Sequence, residues 1–252
     1  MLVTMPNPQI GLQLYTVRDL LQKDFAGTLR QVAKIGYAGI EGGRGPLSPE
    51  DFAKLLKEIH LLNPASGGGL DGIEKQGDAW LKPLAAAGVK YMMASSKVDS
   101  TDEYKALAKR LNGAGKACNA HGITFQYHNH AHEFKVYGGK TGHDILIDET
   151  DPKLVWFQVD VGWVNWAGKN PPEVLRRLKG RIRTIHVKDH TPEPEPNRKF
   201  AEVGNGALPL AEVVVAAKEI GVEWCFVEQD WCARPSIESA EISYKNLKKA
   251  LG

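Results

Sequence analysis

FQYHNHAHEF, which runs from Phe125 to Phe134, begins with β-forming residues and ends in side chains that bind metals. Side chains two positions apart in a strand share one face, so His128 and His130 are predicted to point the same way. Glu133 lies just beyond the strand, where it can act as a base, a ligand or a cap. The stretch therefore predicts the end of a strand that opens onto a site with metal-ligand chemistry.

Three later stretches repeat this pattern of an apolar run that ends in a ligand-type residue. They are LVWFQVD ending at Asp160, IRTIHVKD around His186, and CFVEQD around Glu228. One histidine at a strand end is more often a structural hydrogen bonder than a ligand, but four such strand ends in one chain favour a metal site. Carboxylates with imidazoles suit Mn²⁺, Mg²⁺, Zn²⁺ or Co²⁺. The sequence predicts a divalent ion held by His128, Asp160, His186 and Glu228.

Strand patterns alternate with helix patterns along the whole chain, and eight strand–helix units fit into 252 residues. Such alternation indicates parallel strands with right-handed crossovers, and this length is typical of a (β/α)₈ barrel. We therefore predict an α/β fold, a single TIM barrel forming one domain over residues 1–252. A doubly wound open sheet is the alternative, but the chain has no GxGxxG motif after the first strand and no Walker loop.

Three local expectations can be checked directly. The first strand is predicted from Ile10 to Val17, and one helix is predicted from about Asp71 to Ala87. The polar, proline-rich segment from His190 to Gly206 is predicted to be a loop over the active face, because it is long for a connection without structure.

The composition limits the possible partners. The net charge is +2 with both signs dispersed, so nothing suggests a nucleic-acid partner. No apolar run reaches the length of about 18 residues that a membrane helix needs. MLVTMPNPQ at the N-terminus lacks signal-peptide features, so a cytoplasmic location is expected, although a signal removed earlier stays possible. A homo-oligomer is possible, but the sequence identifies no surface for it.

Other side chains are candidates for substrate contact. Glu41 ends the second predicted strand and either binds substrate or serves as a supporting carboxylate. Lys188 shares a face with His186, where it can stabilise an enolate or pair with Asp189 or Glu133.

Two tryptophans follow Asp160 in the next loop. Most tryptophans belong to a core, but Trp163 and Trp166 can also form an apolar wall that stacks on a sugar ring and excludes water. Both are therefore included among the predicted substrate contacts.

The motifs together resemble the sugar phosphate isomerase/epimerase family, which has a xylose isomerase-like TIM barrel. The resemblance covers Gly11 to Asp230 and rests on GLQLYTVRD, GYAGIE, YHNHAHEF, DVGWVNWAGKNP, RIRTIHVKD, VGNG and FVEQD. It implies a divalent metal at the ends of strands five to eight and a sugar or polyol substrate. The superfamily also includes inosose and dehydroshikimate dehydratases and endonuclease IV-type nucleases, but a nuclease would need further ligands and a basic groove.

The resemblance has one departure that bears on the reaction. The epimerases use a glutamate at the end of strand five, paired with the strand-eight glutamate as base and acid, whereas this chain has His128 there. The leading expectation is an isomerase or epimerase that works through an enediolate, with Glu228, His130 and Lys188 as catalytic candidates. A dehydratase or lyase acting on a keto-sugar, keto-glycoside or keto-inositol shares the same first steps and is the alternative.

Overall fold

A computed structural model describes residues 7–252 and forms a closed barrel of eight parallel strands. Each strand is hydrogen-bonded to its sequence neighbours, and β1 closes the ring against β8. The predicted TIM barrel is confirmed. The strands are β1 (Gln9–Gln13), β2 (Gly39–Glu41), β3 (Leu62–Gly67), β4 (Tyr91–Ala94), β5 (Thr124–His128), β6 (Trp156–Asp160), β7 (Ile182–Val187) and β8 (Trp224–Val227).

Helices surround the barrel and bury their apolar stripes against it. Asp24 and Ser48 cap two of them by accepting hydrogen bonds from backbone amides in the first turns of their helices. The α-helices are α1 (Arg18–Leu21), α2 (Phe25–Ile35), α3 (Pro49–Glu58), α4 (Leu70–Gln76), α5 (Asp78–Ala86), α6 (Thr101–Asn119), α7 (Gly142–Glu149), α8 (Val161–Trp166), α9 (Pro171–Arg177), α10 (Leu210–Ile220) and α11 (Ser236–Leu251).

Two local predictions are wrong in their boundaries. The first strand ends at Gln13, where the chain turns into a 3₁₀ helix over Leu14–Val17 because the Gln13 side chain accepts from the Tyr15 amide. The helix expected from Asp71 to Ala87 is two helices, since Gly77 between them has φ 48° and ψ −124°, which a continuous helix does not allow.

The barrel interior has an apolar layer below a polar one. Phe226 and Trp224 stack with ring centroids 5.5 Å apart. Gly11 and Gly39 make room for these rings, since a Cβ would lie 2.4 Å from Phe226 at Gly11 and 2.8 Å from Trp224 at Gly39. The next layer, toward the C-terminal ends of the strands, is buried and polar. It consists of Gln13, Glu41, Gln126, Gln158 and Thr184.

The segment after β7, which the sequence predicts as a loop over the active face, contains short regular structure. Asp189–His190 pairs antiparallel with Phe200–Ala201 and forms a short two-stranded ribbon. The Asp189 carboxylate accepts from several backbone amides of the following turn, Gly204, Gly206 and Leu208 among them, and so anchors the return of the segment. Across residues 7–252, every helix is too short or too polar to cross a membrane.

Candidate active site

Four side chains from neighbouring strands converge at the C-terminal mouth of the barrel. His128 ends β5, Asp160 ends β6, His186 lies near the end of β7, and Glu228 directly follows β8. One ligand atom from each lies within 4.8 Å of the others, and all four side chains are buried. Because β5 to β8 are adjacent around the wall, the sequence order itself brings these residues together.

The distances within this group leave room for an ion. Nδ1 of His186 lies 2.8 Å from Oε2 of Glu228, and Nε2 of His128 lies 4.0 Å from Oδ2 of Asp160. Oδ1 of Asp160 caps α8 by accepting from the Trp163 amide, while its buried Oδ2 makes no hydrogen bond within residues 7–252. Burial raises the pKa of Asp160 to about 6 even though the neighbouring cations oppose the shift.

The nitrogens of the two imidazoles that face away from the site have fixed partners. Nδ1 of His128 contacts Oε1 of Gln158 at 3.1 Å, and Nε2 of His186 contacts Oε1 of Glu41 at 2.7 Å. Burial opposes a charge on His186, but Glu41 and Glu228 outweigh it and raise its pKa to about 10. Burial, aided by the charge on His186, holds the pKa of His128 well below its usual value.

Lys188 lies inside the carboxylate cluster. Its Nζ is 2.6 Å from Oδ2 of Asp230, 3.1 Å from Oε2 of Glu228 and 3.4 Å from Oδ2 of Asp160. Burial opposes its charge, but these carboxylates outweigh burial and raise its pKa above the usual range. Pairing with Asp189 or Glu133, which the sequence left open, is wrong: the lysine pairs with three other acids.

His130 and Glu133 lie in the turn after β5. The His130 ring is 5.0 Å from the ring of His128, and its Nδ1 has no hydrogen-bond partner among the described residues. Burial lowers the pKa of His130 to about 4, with Lys188 adding to the shift. Glu133 is fully buried and accepts from the Tyr127 hydroxyl and the His130 amide, so it holds the turn in place. A substrate contact for Glu133 stays a prediction.

An aromatic wall stands beside Lys188. Trp163 has its ring centroid 5.0 Å from the lysine Nζ, 5.7 Å from the His130 ring and 5.2 Å from the Trp166 ring. Phe200, from the ribbon after β7, packs on both tryptophans at 5.4 and 5.1 Å. Trp163 is thus next to Lys188, Trp166 packs against Trp163, and Phe200 completes a wall that the sequence did not indicate.

The donor set fits a divalent cation. Two imidazole nitrogens and two carboxylates point at one space, and Oδ2 of Asp160 makes no hydrogen bond among residues 7–252, although the Lys188 ammonium lies 3.4 Å away. Buried polar atoms are nearly always hydrogen-bonded, so an oxygen without a hydrogen bond beside three other ligand-type atoms is well explained by an ion. His128, Asp160, His186 and Glu228 can therefore hold a divalent metal.

The sequence analysis did not identify the residues of the buried polar layer that lie beneath the site, although their spacing along the strands indicates them. Gln126, Gln158 and Thr184 each precede a site residue by two positions, and such spacing puts them on the same inward face one layer lower. Gln158 in particular touches both Glu41 and His128.

Comparison with known proteins agrees with this architecture. A family model, the xylose isomerase-like TIM barrel, matches residues 29–250. An inosose dehydratase from Clostridium botulinum (strain Alaska E43 / Type E3) is 26% identical over 201 residues, which cover 68% of this chain. The aligned part spans 65% of the length of that curated relative.

Solved structures share the fold. A sugar phosphate isomerase/epimerase from Parabacteroides distasonis superposes with a TM-score of 0.83 at 24% identity, covering 99% of this chain and 97% of that one. The zinc-bound IOLI protein superposes with a TM-score of 0.76 at 18% identity, covering 96% and 98% of the two chains. The resemblance inferred from the motifs is confirmed, and because the family model covers most of its length, this chain belongs to the xylose isomerase-like TIM-barrel family.

Proposed function

We propose that this protein is a divalent-metal-dependent dehydratase or lyase that acts on a keto-polyol or keto-sugar through an enediolate. The observation that carries the proposal is the histidine at the end of β5. The epimerases that the motifs resemble use two glutamates as base and acid on opposite faces of the substrate, and His128 stands where the resemblance implies the first of them. The name of the Clostridium botulinum relative, inosose dehydratase, supports the same direction.

A bound divalent ion would supply Lewis acidity to a substrate carbonyl and its neighbouring hydroxyl. Two imidazoles among four ligands favour Zn²⁺, Mn²⁺ or Co²⁺ over Mg²⁺, which prefers oxygen ligands and keeps several waters. The zinc in the IOLI structure makes Zn²⁺ the first metal to test.

The chain's own residues divide the proton transfers. We assign His130 as the base that takes the proton from the carbon next to the carbonyl, because its Nδ1 has no other partner among residues 7–252. The ammonium of Lys188 lies beside Trp163, whose ring is 5.7 Å from that of His130, and stabilises the enediolate oxygen. As the C–C double bond forms, the β-carbon–oxygen bond breaks, and Lys188 donates a proton so that the hydroxyl leaves as water. The aromatic wall limits access of bulk water during this step.

Isomerisation or epimerisation is the second candidate, because it shares the first step. If Lys188 returned its proton to carbon instead of to the leaving oxygen, the product would be an isomer of the substrate. The same ligands serve both reactions, so products must decide between them.

The deciding experiment follows products by NMR in ²H₂O. Protein loaded with Zn²⁺, Mn²⁺, Co²⁺ or Mg²⁺ is incubated with a keto-inositol, a ketohexose and a 3-keto-glycoside. Loss of water or of the aglycone, with an unsaturated ketone or its diketone tautomer as product, supports the proposal. Deuterium at carbon without elimination supports the isomerase, and no exchange with any substrate contradicts both. Asp160→Asn, which removes one metal ligand at constant size, is the inactive control.

A further inference from the structure

Glu41 is a fully buried carboxylate that ends β2, on the opposite side of the barrel from β6. Its Oε1 accepts from Nε2 of Gln13 at 2.5 Å and from Nε2 of His186 at 2.7 Å. Its Oε2 accepts from Nε2 of Gln158 at 2.6 Å. All its hydrogen bonds go to protein groups, so the contact with substrate predicted for Glu41 gets no support from this geometry.

The hydrogen bonds of Glu41 reach both imidazoles of the metal site. A carboxylate only accepts, so it fixes the amide nitrogen of Gln158 toward itself and turns the amide oxygen toward His128. That oxygen also only accepts, so Nδ1 of His128 must carry the proton. Nε2 of His128, which faces Asp160, then keeps its lone pair for a metal.

The same logic applies directly to His186. Its Nε2 donates to Glu41, so the proton that a bound ion would displace is the one on Nδ1, which faces Glu228. Groups that bond to the outer nitrogen of a metal-binding histidine fix its tautomer and ring orientation.

We propose that Glu41 is the positioning residue of the metal site, setting the tautomer of His186 directly and of His128 through Gln158. The role rests on metal binding as described under the proposed function, but it is independent of which reaction follows. It assigns to one carboxylate the orientation of ligands from two different strands.

Glu41→Gln tests this directly because it changes hydrogen-bond direction at nearly constant size. If the new amide oxygen faces His186, the amide nitrogen faces Gln158, which must turn and present its own nitrogen to His128. If the new amide nitrogen faces His186 instead, Nε2 of that ring must accept. In either orientation one imidazole carries a proton on the nitrogen that faces the metal.

Combining Glu41→Gln with Gln158→Glu exchanges the two side chains and restores the hydrogen-bond direction at both imidazoles. The amide introduced at position 41 accepts from His186 and donates to the carboxylate introduced at position 158. That carboxylate in turn accepts from His128 and lies beside the Thr184 hydroxyl, which Gln158 contacts at 3.0 Å in the wild type. The proposal therefore predicts that the double variant recovers what the single variant loses. A role in packing alone predicts no such recovery.

Two measurements are made on the full chain. Long-range ¹H–¹⁵N NMR of histidine-labelled, metal-free protein reports the His128 tautomer, and chelator competition reports Zn²⁺ affinity. We expect Nδ1–H at His128 in the wild type, a 10- to 100-fold weaker Zn²⁺ affinity in Glu41→Gln, and recovery to within about threefold of wild type in the double variant. Glu202→Gln, the same exchange at a buried carboxylate that accepts from Ser239 and contacts neither imidazole, should change the affinity less than about threefold.

Wild-type Zn²⁺ affinity and an unchanged His128 tautomer in Glu41→Gln overturn the proposal. So does a double variant that folds yet binds no better than the single variant. If Glu41→Gln does not fold, Gln158→Met removes the link from Glu41 to His128 and leaves the hydrogen bond to His186. A His128 tautomer identical to wild type in that variant also overturns the proposal. None of these readouts requires a substrate, so loss of the proposed reaction leaves this test intact.

Discussion

The ammonium of Lys188 lies 3.1 Å from the Glu228 carboxylate and 3.4 Å from that of Asp160, on the oxygens that also face the proposed metal. A second cation in this space repels the ion and shares its ligands. Lys188→Met should therefore bind Zn²⁺ about tenfold more tightly, while turnover falls by at least about 100-fold because the acid that protonates the leaving group is gone. Chelator competition and steady-state kinetics measure the two effects. Lys199→Met, at an exposed lysine just before the ribbon residue Phe200, is the surface control, and weaker Zn²⁺ binding in Lys188→Met would count against the assignment.

His130 and His128 lie 5.0 Å apart but are expected to behave differently. His130→Gln should lower turnover by about 10²- to 10⁴-fold, because the base is lost. Its Zn²⁺ affinity should stay within about threefold of wild type, whereas His128→Gln should weaken binding by about 10-fold or more. Equal losses of affinity in both variants would show that His130 is a ligand and that another group removes the proton.

The four ligand-type residues could be predicted because two simple rules apply to them. Strand side chains alternate, and the C-terminal ends of parallel strands meet at one rim. Asp160 and His186 are paired directly across β6 and β7 in the structure, as those rules require. Nothing about the rest of the fold needs to be known to place them together.

The supporting network could not be predicted with the same ease. The link from Glu41 to Gln158 crosses the barrel between residues 117 positions apart, and it depends on how the closed ring brings β2 opposite β6. The ribbon after β7 was missed for a related reason: Phe200 is held by Trp163 and Trp166, and such tertiary contacts leave no local pattern. The break at Gly77 depends on one backbone conformation that glycine permits but does not require.

Gly11 gives a test of the interior packing. Alanine there would place its Cβ 2.4 Å from the Phe226 ring, which is fully buried and stacked on Trp224, so the ring cannot move aside freely. We expect Gly11→Ala to lower the free energy of unfolding by about 1–3 kcal/mol. Gly69→Ala is the matched control, because a Cβ at that position meets nothing within 4 Å. Urea unfolding of both variants measures the difference. Equal stabilities would mean that the interior layer can rearrange to admit a methyl group.

His143 predicts a specific acid sensitivity away from the metal site. Its buried ring packs between Phe134 and Phe157 at centroid distances of 5.0 and 5.3 Å, and its Nε2 has no partner among residues 7–252. Burial lowers its pKa from 6.5 to about 4; Arg177 adds to the shift and Asp144 opposes it. The folded state therefore resists a proton that the unfolded chain accepts below pH 6.5.

The direction in which stability changes with pH follows from this difference in pKa between the folded and the unfolded state. Above pH 6.5 His143 is neutral in both states and adds no pH dependence, and as pH falls from about 6.5 to about 4 the unfolded state gains the proton first, so stability falls. The difference between the ordinary pKa of 6.5 and the value of about 4 in the folded state corresponds to about 3 kcal/mol. His143→Phe removes this loss, so its free energy of unfolding should fall by about 3 kcal/mol less than that of wild type between pH 7 and pH 4. Urea titrations at several pH values with chelator present measure both proteins under one condition, and parallel pH profiles would mean that the buried imidazole accepts its proton without penalty.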